Sequence, residues 1–155
     1  MKGRKLLGAP VVDRVSGDIL GTVCDLVLGH DLEVMGLLVE PAKGAKGMLA
    51  WDDFSINDDT VMVSGLESLK RLRKGKPQDT LQDQMGVAVI DDRGRKIGQL
   101  SDVVVEPVSK ETRGVEVSHG ILKDFIDGRT EISMNRVRTV DEEALVLGDE
   151  GGMME

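Results

Sequence analysis

One stretch of sequence occurs twice in this chain and limits what the chain can fold into. Residues 17–28 read GDILGTVCDLVL, and residues 94–105 read GRKIGQLSDVVV. In both, a turn glycine is followed by an apolar residue, a second glycine, an aspartate and a run of apolar residues. A glycine turn that leads into a run rich in Val, Ile and Leu is typical of a β-hairpin. The pair therefore predicts one small β-unit, present in two tandem copies.

The repeat favours two domains over one in a chain of 155 residues. Each half then has about 70 to 80 residues, a size at which only about 60% of the unfolded surface is buried. We therefore expect the halves to pack against each other. The predicted organisation is a first unit at 1–66, a basic linker at 67–84, a second unit at 85–148 and a disordered tail at 149–155.

The composition predicts a soluble globular protein, with 40% hydrophobic and 31% charged residues. The apolar runs are far shorter than the roughly 20 residues of a membrane-spanning helix, and the N-terminus lacks the apolar core of a secretory signal. The single cysteine, Cys24, cannot form an internal disulfide, which fits a reducing compartment. We therefore expect a cytoplasmic protein without a membrane span. Its net charge of −8 disfavours extensive nucleic-acid contact.

The same order of strands is predicted in both halves. The first copy has strands at 7–13, 19–28, 32–40 and 47–51, followed by a hairpin over 55–63. The second copy has strands at 85–91, 96–105 and 112–117. Its closing segment at 131–147 aligns Met134 with Trp51 and Val137 with Phe54. The matching positions of the two copies are Gly17, Gly21, Asp25 and Gly36 in the first and Gly94, Gly98, Asp102 and Gly114 in the second. A glycine inside a strand, such as Gly21, indicates a bulge or a sharp bend.

Two short helical segments interrupt this β pattern. The second copy carries an insertion at 119–129, whose apolar residues recur at helical spacing before Gly128, which predicts one to two helical turns. Leucines at 66, 69 and 72 predict a short helix in the linker, ended by Gly75 and Pro77.

The sequence offers little catalytic chemistry. Tyrosine is absent, and the two histidines, His30 and His119, have no counterparts in the other copy. No histidine or cysteine pair stands at metal-ligand spacing, and the acidic pairs at 52–53 and 58–59 have the ordinary composition of turns. Asp25 and Asp102 are better explained as acceptors for backbone N–H groups left open by a bulge. We therefore expect no catalytic residues, no metal and no cofactor.

These motifs together resemble the PRC-barrel domain. The resemblance rests on a first strand ending in Val-x-Asp, the glycine turn, the Ile-Gly-x-(Val/Leu)-x-Asp-(Val/Leu)-Val pattern and the closing segment around Trp51, and it covers nearly the whole chain twice. The family includes the H subunit of the photosynthetic reaction centre and the C-terminal half of the ribosome maturation factor RimM. The resemblance implies two tandem, strongly bent antiparallel β-barrels that serve as assembly or adaptor modules. Because the matching motifs belong to the fold, neither relative's specific function carries over.

Three functional hypotheses follow. The first is a non-enzymatic adaptor that docks a protein partner, or a second copy of itself, through the cleft between the barrels or an exposed barrel edge. Aromatic residues dominate binding hot spots, so the contact candidates are Trp51, Phe54 and Phe125, although core packing is the ordinary role for each. The second is a regulator that binds a small ligand or ion in the cleft. The third is a ribosome- or RNA-associated factor that uses the basic residues of the linker, Lys70, Arg71, Arg73, Lys74 and Lys76, although such a run is more often a solvated surface.

Overall fold

The chain folds into two curled β-sheets of the same design. The structure is a computed structural model that describes residues 1–72, 79–119, 129–141 and 143–148. The first sheet consists of β1 (Pro10–Asp13), β2 (Ile19–Leu28), β3 (Val34–Pro41), β4 (Gly47–Ala50), β5 (Phe54–Asn57), β6 (Thr60–Val63) and β7 (Lys70–Arg71). The second consists of β8 (Ala88–Ile90), β9 (Lys96–Val105), β10 (Thr112–Ser118), β11 (Arg129–Ser133), β12 (Val137–Val140) and β13 (Ala144–Leu147).

Strands β1–β6 correspond in order to β8–β13. The sheet orders are β5-β6-β1-β2-β3-β4-β7 and β11-β10-β9-β8-β13-β12. This confirms the predicted all-β fold with two tandem barrels. One pairing in each sheet is parallel, β1 with β6 and β8 with β13, which differs from the wholly antiparallel barrel expected. The parallel pairing arises because a 3₁₀ turn, Trp51–Asp53 or Met134–Arg136, carries the chain across before the last hairpin.

The repeated glycines lie where the backbone turns or where strands come close together. Gly17 and Gly94 have φ of +78° and +81°, the left-handed region that the β1–β2 and β8–β9 turns require. Gly21 lies next to a register shift between β1 and β2. A Cβ atom there would lie 2.6 Å from the carbonyl oxygen of Glu40. The glycine thus permits the sharp bend predicted at this position.

Each barrel is also packed against a segment that precedes the other barrel. We call residues 1–6 the first arm and residues 79–84 the second arm. The first arm, which includes the 3₁₀ turn Gly3–Leu6, forms a bridge from Lys2 to Val104 in β9. The second arm, which includes helix α1 (Leu81–Gln84), forms the equivalent bridge from Thr80 to Val27 in β2. The arms are therefore exchanged between the two halves.

Two buried aspartates hold the exchanged arms. Asp25 Oδ1 accepts hydrogen bonds from the backbone N–H groups of Leu26 at 2.8 Å and Gln82 at 3.3 Å. Asp102 accepts from Val103 at 2.8 Å and, through both oxygens, from Arg4 at 3.2 Å. Each aspartate follows the extra residue of a β-bulge. It therefore satisfies one N–H of its own strand and one of the opposite half's arm.

A single hydrophobic cluster runs through both barrels and both arms. Leu6 of the first arm and Leu81 of the second are fully buried within it, together with strand residues such as Leu26 and Val103. Because apolar burial is the main source of folding free energy, the shared cluster ties the stability of one barrel to that of the other.

The linker differs from its predicted form. The predicted helix is limited to a 3₁₀ turn at Leu66–Ser68, because Lys70 and Arg71 instead pair with Met48 and Gly47 at the edge of the first sheet. Residues 79–84, at the end of the predicted linker, pack on β2. Residues 73–78, the helical turns predicted within the insertion, and the tail at 149–155 lie outside the described residues.

Candidate functional site

A cleft of about 820 Å³ lies between the two barrels. Its walls come from equivalent parts of the repeat, the entry to β3 with Trp51 on one side and the entry to β10 with Met134 on the other. We call this the inter-barrel cleft. It is lined by Glu33, Val34, Met35 and Trp51 of the first barrel and by Glu111, Thr112, Arg113, Ser133, Met134 and Asn135 of the second.

The two walls have the same backbone frame but different side chains. The first barrel presents Met35, which is 52% exposed, beside Trp51, which is 38% exposed. The second barrel presents Arg113 at the position equivalent to Met35, with the polar residues Ser133 and Asn135 nearby. The first wall therefore carries two exposed apolar side chains next to the carboxylate of Glu33, whereas the second wall is largely polar.

Lys110 joins the two barrels at one side of the cleft. It lies in the loop between β9 and β10, and its Nζ is 4.9 Å from the centre of the Trp51 ring and 4.4 Å from that of Phe54. The same Nζ donates to the carbonyl oxygen of Phe54 at 2.5 Å and to that of Trp51. An ammonium over aromatic faces is attracted by their negative quadrupoles. The second barrel thus holds the 3₁₀ turn that carries Trp51.

Burial lowers the pKa of Lys110, while the nearby carboxylates of Asp52 and Asp53 oppose that shift. Desolvation disfavours the charged ammonium, whereas opposite charges favour it.

Lys110 has a φ of +63°, and so does Leu32 at the equivalent position of the first barrel. There the side chain is a leucine, 1% exposed, and its carbonyl oxygen accepts a hydrogen bond from the Thr112 hydroxyl at 2.7 Å. Reciprocal loop contacts therefore fix the spacing of the cleft walls.

The predicted contact residues differ in accessibility. Trp51 is partly exposed in the cleft, whereas Phe54 is only 5% exposed and belongs to the core. Phe125 lies outside the described residues. Among the predicted basic residues, Lys70 and Arg71 are exposed on β7, and the other three lie outside the described residues. Trp51 is therefore the aromatic candidate that the described structure leaves available for a partner.

A buried ion-pair cluster lies on the side of the second barrel that receives the first arm. The carboxylate of Glu116 is fully buried, and it contacts the ammonium of Lys2 and the guanidinium of Arg4, the latter at 2.9 Å. The hydroxyl of Ser101 donates to Glu116 at 2.7 Å, and Arg129 lies 3.7 Å away. Leu38 occupies the equivalent position in the first barrel. The cluster thus anchors the first arm to the second barrel.

Cys24 is the residue of the first barrel that corresponds to Ser101. Its Sγ lies 3.4 Å from the carbonyl oxygen of Leu38. Burial raises the pKa of the Cys24 thiol, so the thiol stays protonated at neutral pH and is a poor nucleophile. Within the described residues, no group of three or more His, Cys, Asp or Glu side chains could hold a metal ion.

Of the residues that line the cleft, only Trp51 was predicted as a site residue from the sequence. Met35, which lines the cleft, is equivalent in the repeat to Arg113. Lys110, which holds the turn of Trp51, is equivalent to the buried Leu32. The signal was available in the aligned halves, where equivalent positions differ in charge. Glu116 gave a similar signal, since it is a charged residue between Val115 and Val117 in a predicted strand.

Two equivalent curled barrels with exchanged arms and a cleft between them define a tandem-barrel protein. The family model for the PRC-barrel domain matches residues 1–70 and 80–153. The chain therefore belongs to the PRC-barrel family, as the sequence motifs predicted. A search of curated proteins finds no significant match. PRC-barrel domains are generally protein-interaction modules without catalysis of their own. In the described part of the chain, no helix has the length and apolar character needed to span a bilayer.

Proposed function

We propose that this chain is a non-catalytic docking protein that binds a protein partner in the inter-barrel cleft. The observation that carries the proposal is the pair of exposed apolar side chains, Met35 and Trp51, on one wall of that cleft. Adjacent exposed apolar residues rimmed by polar groups are typical of interaction sites. Tryptophan is also among the residues most enriched at binding hot spots.

Contacts that join the two walls of the cleft support this proposal. Lys110 holds the turn of Trp51, and the hydrogen bond from Thr112 to Leu32 joins the two barrels below the cleft walls. A surface that is already ordered before binding loses less conformational entropy when the partner arrives. The cytoplasmic location stays a prediction from the single cysteine.

Site-directed photo-crosslinking in the cells that make the protein tests the proposal. A photoreactive residue replaces Met35, and a matched variant carries it at Val15, which is 87% exposed in the β1–β2 turn. We expect discrete crosslinked proteins from position 35 that are absent from position 15, identified by mass spectrometry. The same products from both positions, or none from position 35, would argue against a partner in the cleft.

A second candidate function is small-ligand binding in the same cleft. Its volume of about 820 Å³ falls within the roughly 300 to 1,000 Å³ of ligand sites. A thermal-shift screen against metabolites and metal ions separates the two functions, because a ligand at 100 times its dissociation constant stabilises the fold by about 2.7 kcal/mol. A compound that stabilises the natural protein but not the Trp51→Ala variant would favour small-ligand binding as the function of the cleft.

A third candidate, RNA or ribosome binding, depends on the exposed Lys70 and Arg71 on β7. Because phosphate contacts dominate nucleic-acid affinity, such binding should weaken steeply with salt. Cosedimentation with ribosomes at two salt concentrations, for the natural chain and for Lys70→Gln/Arg71→Gln, tests this candidate. Binding that is unchanged by salt and by the double substitution would exclude a role for these two charges.

A further inference from the structure

The internal repeat provides a comparison between two equivalent glutamates at the cleft, Glu33 and Glu111. Glu33 lies two residues before Met35 in β3, and Glu111 lies two residues before Arg113 in β10. All four side chains are exposed. In extended backbone, residues i and i+2 lie on the same face, about 6 to 7 Å apart along the chain. The same geometry therefore places Glu111 beside Arg113 and Glu33 beside Met35.

The charges are balanced in one copy and unbalanced in the other. A guanidinium nitrogen of Arg113 lies 3.6 Å from Glu111 Oε2. No ion pair to Glu33 is found among the residues that the structure describes, since the equivalent position carries the uncharged thioether of Met35. The first barrel thus presents a carboxylate with no ion-pair partner in the described part of the chain, next to two exposed apolar side chains.

We infer that the cleft binds an extended segment of a partner protein that carries a large apolar side chain two residues away from a lysine or arginine. The apolar side chain lies against Met35 and Trp51, and the cation takes the place beside Glu33 that Arg113 fills beside Glu111. This inference rests on the proposed docking function and names the partner's chemistry.

The surrounding charge favours the same partner. Glu33 and the Glu111–Arg113 pair line the cleft, and Asp52 and Asp53, which follow Trp51, interact with the cation of Lys110. These groups carry four negative and two positive charges in total. A cationic segment is therefore attracted toward the cleft, and an acidic one is repelled.

Trp51 provides the measurement, because it is the one tryptophan of a chain that has no tyrosine. The full chain is titrated with three blocked nine-residue peptides that are otherwise Gly and Ser and contain Leu-Ser-Lys, Leu-Ser-Glu or Ser-Ser-Lys at the centre. We expect Leu-Ser-Lys to change the Trp51 emission saturably and to bind at least about tenfold more tightly than either of the other two. Equal binding of Leu-Ser-Lys and Leu-Ser-Glu, or no saturable change below millimolar peptide, would overturn the inference.

Matched variants use the repeat as its own control. Glu33→Gln should weaken Leu-Ser-Lys binding by about twofold to fivefold, as for a partly exposed ion pair, and should reduce its salt dependence. Glu111→Gln should leave the affinity unchanged, since that carboxylate is already paired. Met35→Arg recreates the arrangement of the second barrel, so this variant should fold normally and lose Leu-Ser-Lys binding. The control variant Val15→Arg should keep that binding. Equal effects of the two glutamine variants would contradict the assignment of the cation to Glu33.

The outcomes also separate this inference from the proposed function. Crosslinks from position 35 to a cellular protein without peptide selectivity would leave the docking function standing and overturn the partner chemistry. If neither crosslinks from position 35 nor selective peptide binding were found, the docking function would be overturned as well. Trp51 emission that changes with protein concentration in the absence of peptide would place a second copy of the chain in the cleft and would overturn the inference.

Discussion

The carboxylate of Asp25 accepts a hydrogen bond from the backbone N–H of Gln82, 57 positions further along the chain. The same bond recurs between Asp102 and Arg4. In each case the aspartate belongs to one barrel and the N–H to the arm that precedes the other. The repeat is therefore a pair of mutually dependent units, and the inter-barrel cleft depends on both.

Replacing either aspartate by alanine should destabilise the whole protein. Asp102→Ala leaves the N–H groups of Arg4 and Val103 without their acceptor, and an unsatisfied buried donor costs about 1 to 3 kcal/mol. Asp102→Asn, which keeps an acceptor oxygen, should cost less, and Asp25→Ala should act in the same direction. Urea unfolding measures the free energies, with the exposed turn substitution Asp92→Ala as the control. Hydrogen exchange that increases in only one barrel would contradict the mutual dependence.

Glu116→Gln should be among the most destabilising single changes in the second barrel. It leaves the partly exposed cations of Lys2 and Arg4 beside a buried neutral amide, and losing a hydrogen bond to a charged group costs about 1.5 to 3 kcal/mol. Glu131→Gln is the matched control, because Glu131 is 60% exposed and lies 3.6 Å from Lys2. Its loss should cost less than about 1 kcal/mol. Equal urea midpoints for the two variants would show that the buried cluster does not anchor the first arm.

The lowered pKa of Lys110 gives stability a defined pH dependence. Because the folded protein loses this proton at a lower pH than the unfolded chain, whose lysine has the ordinary value of 10.5, the unfolded state binds more protons between the two pKa values. Stability relative to Lys110→Met should therefore rise with pH through that window. Urea unfolding of both proteins from pH 8 to 11 measures the difference, and a ¹³C NMR titration of the lysine Cε gives the pKa directly. A value at or above 10.5 would show that the aromatic and carbonyl contacts outweigh desolvation.

Gly21→Ala should destabilise the first barrel through steric overlap. The added Cβ atom would lie 2.6 Å from the Glu40 carbonyl oxygen and 3.0 Å from the Cα of Pro41, both of which are backbone atoms. Overpacking of this kind costs about 1 to 3 kcal/mol. Gly29→Ala is the control, because its Cβ atom would first meet the flexible side chain of Met35 at 3.2 Å. A midpoint temperature of thermal unfolding that is lower for Gly29→Ala than for Gly21→Ala would contradict the close approach of β2 and β3.

The strands could be predicted from the sequence because their signals are local and repeated. Ile19–Leu28 and Lys96–Val105 have their predicted bounds, since a glycine turn marks the start of each and Val, Ile and Leu fill the rest. The beginning of the first strand was less predictable. The pattern places it at Leu7, whereas β1 starts at Pro10, because Gly8 has a φ of +88° and the preceding residues form the 3₁₀ turn of the first arm.

The exchanged arms and the cleft depend on contacts between distant residues, which a local pattern does not contain. Residues 80–84 resemble the end of a linker, and their packing on β2 includes the hydrogen bond from Gln82 to Asp25. Lys110 resembles an ordinary loop lysine until the fold places Trp51 and Phe54 beneath it. The aligned halves do give one clue, because positions equivalent in backbone but different in charge, such as Met35 and Arg113, mark where the two copies have diverged.

The exchange of arms has a consequence for how the protein comes apart. A protease cut between Leu72 and Asp79 would sever the polypeptide and still release no fragment, because Leu6 would remain embedded beneath one barrel and Leu81 beneath the other. The exchanged arms thus hold the two halves together independently of the covalent connection between them.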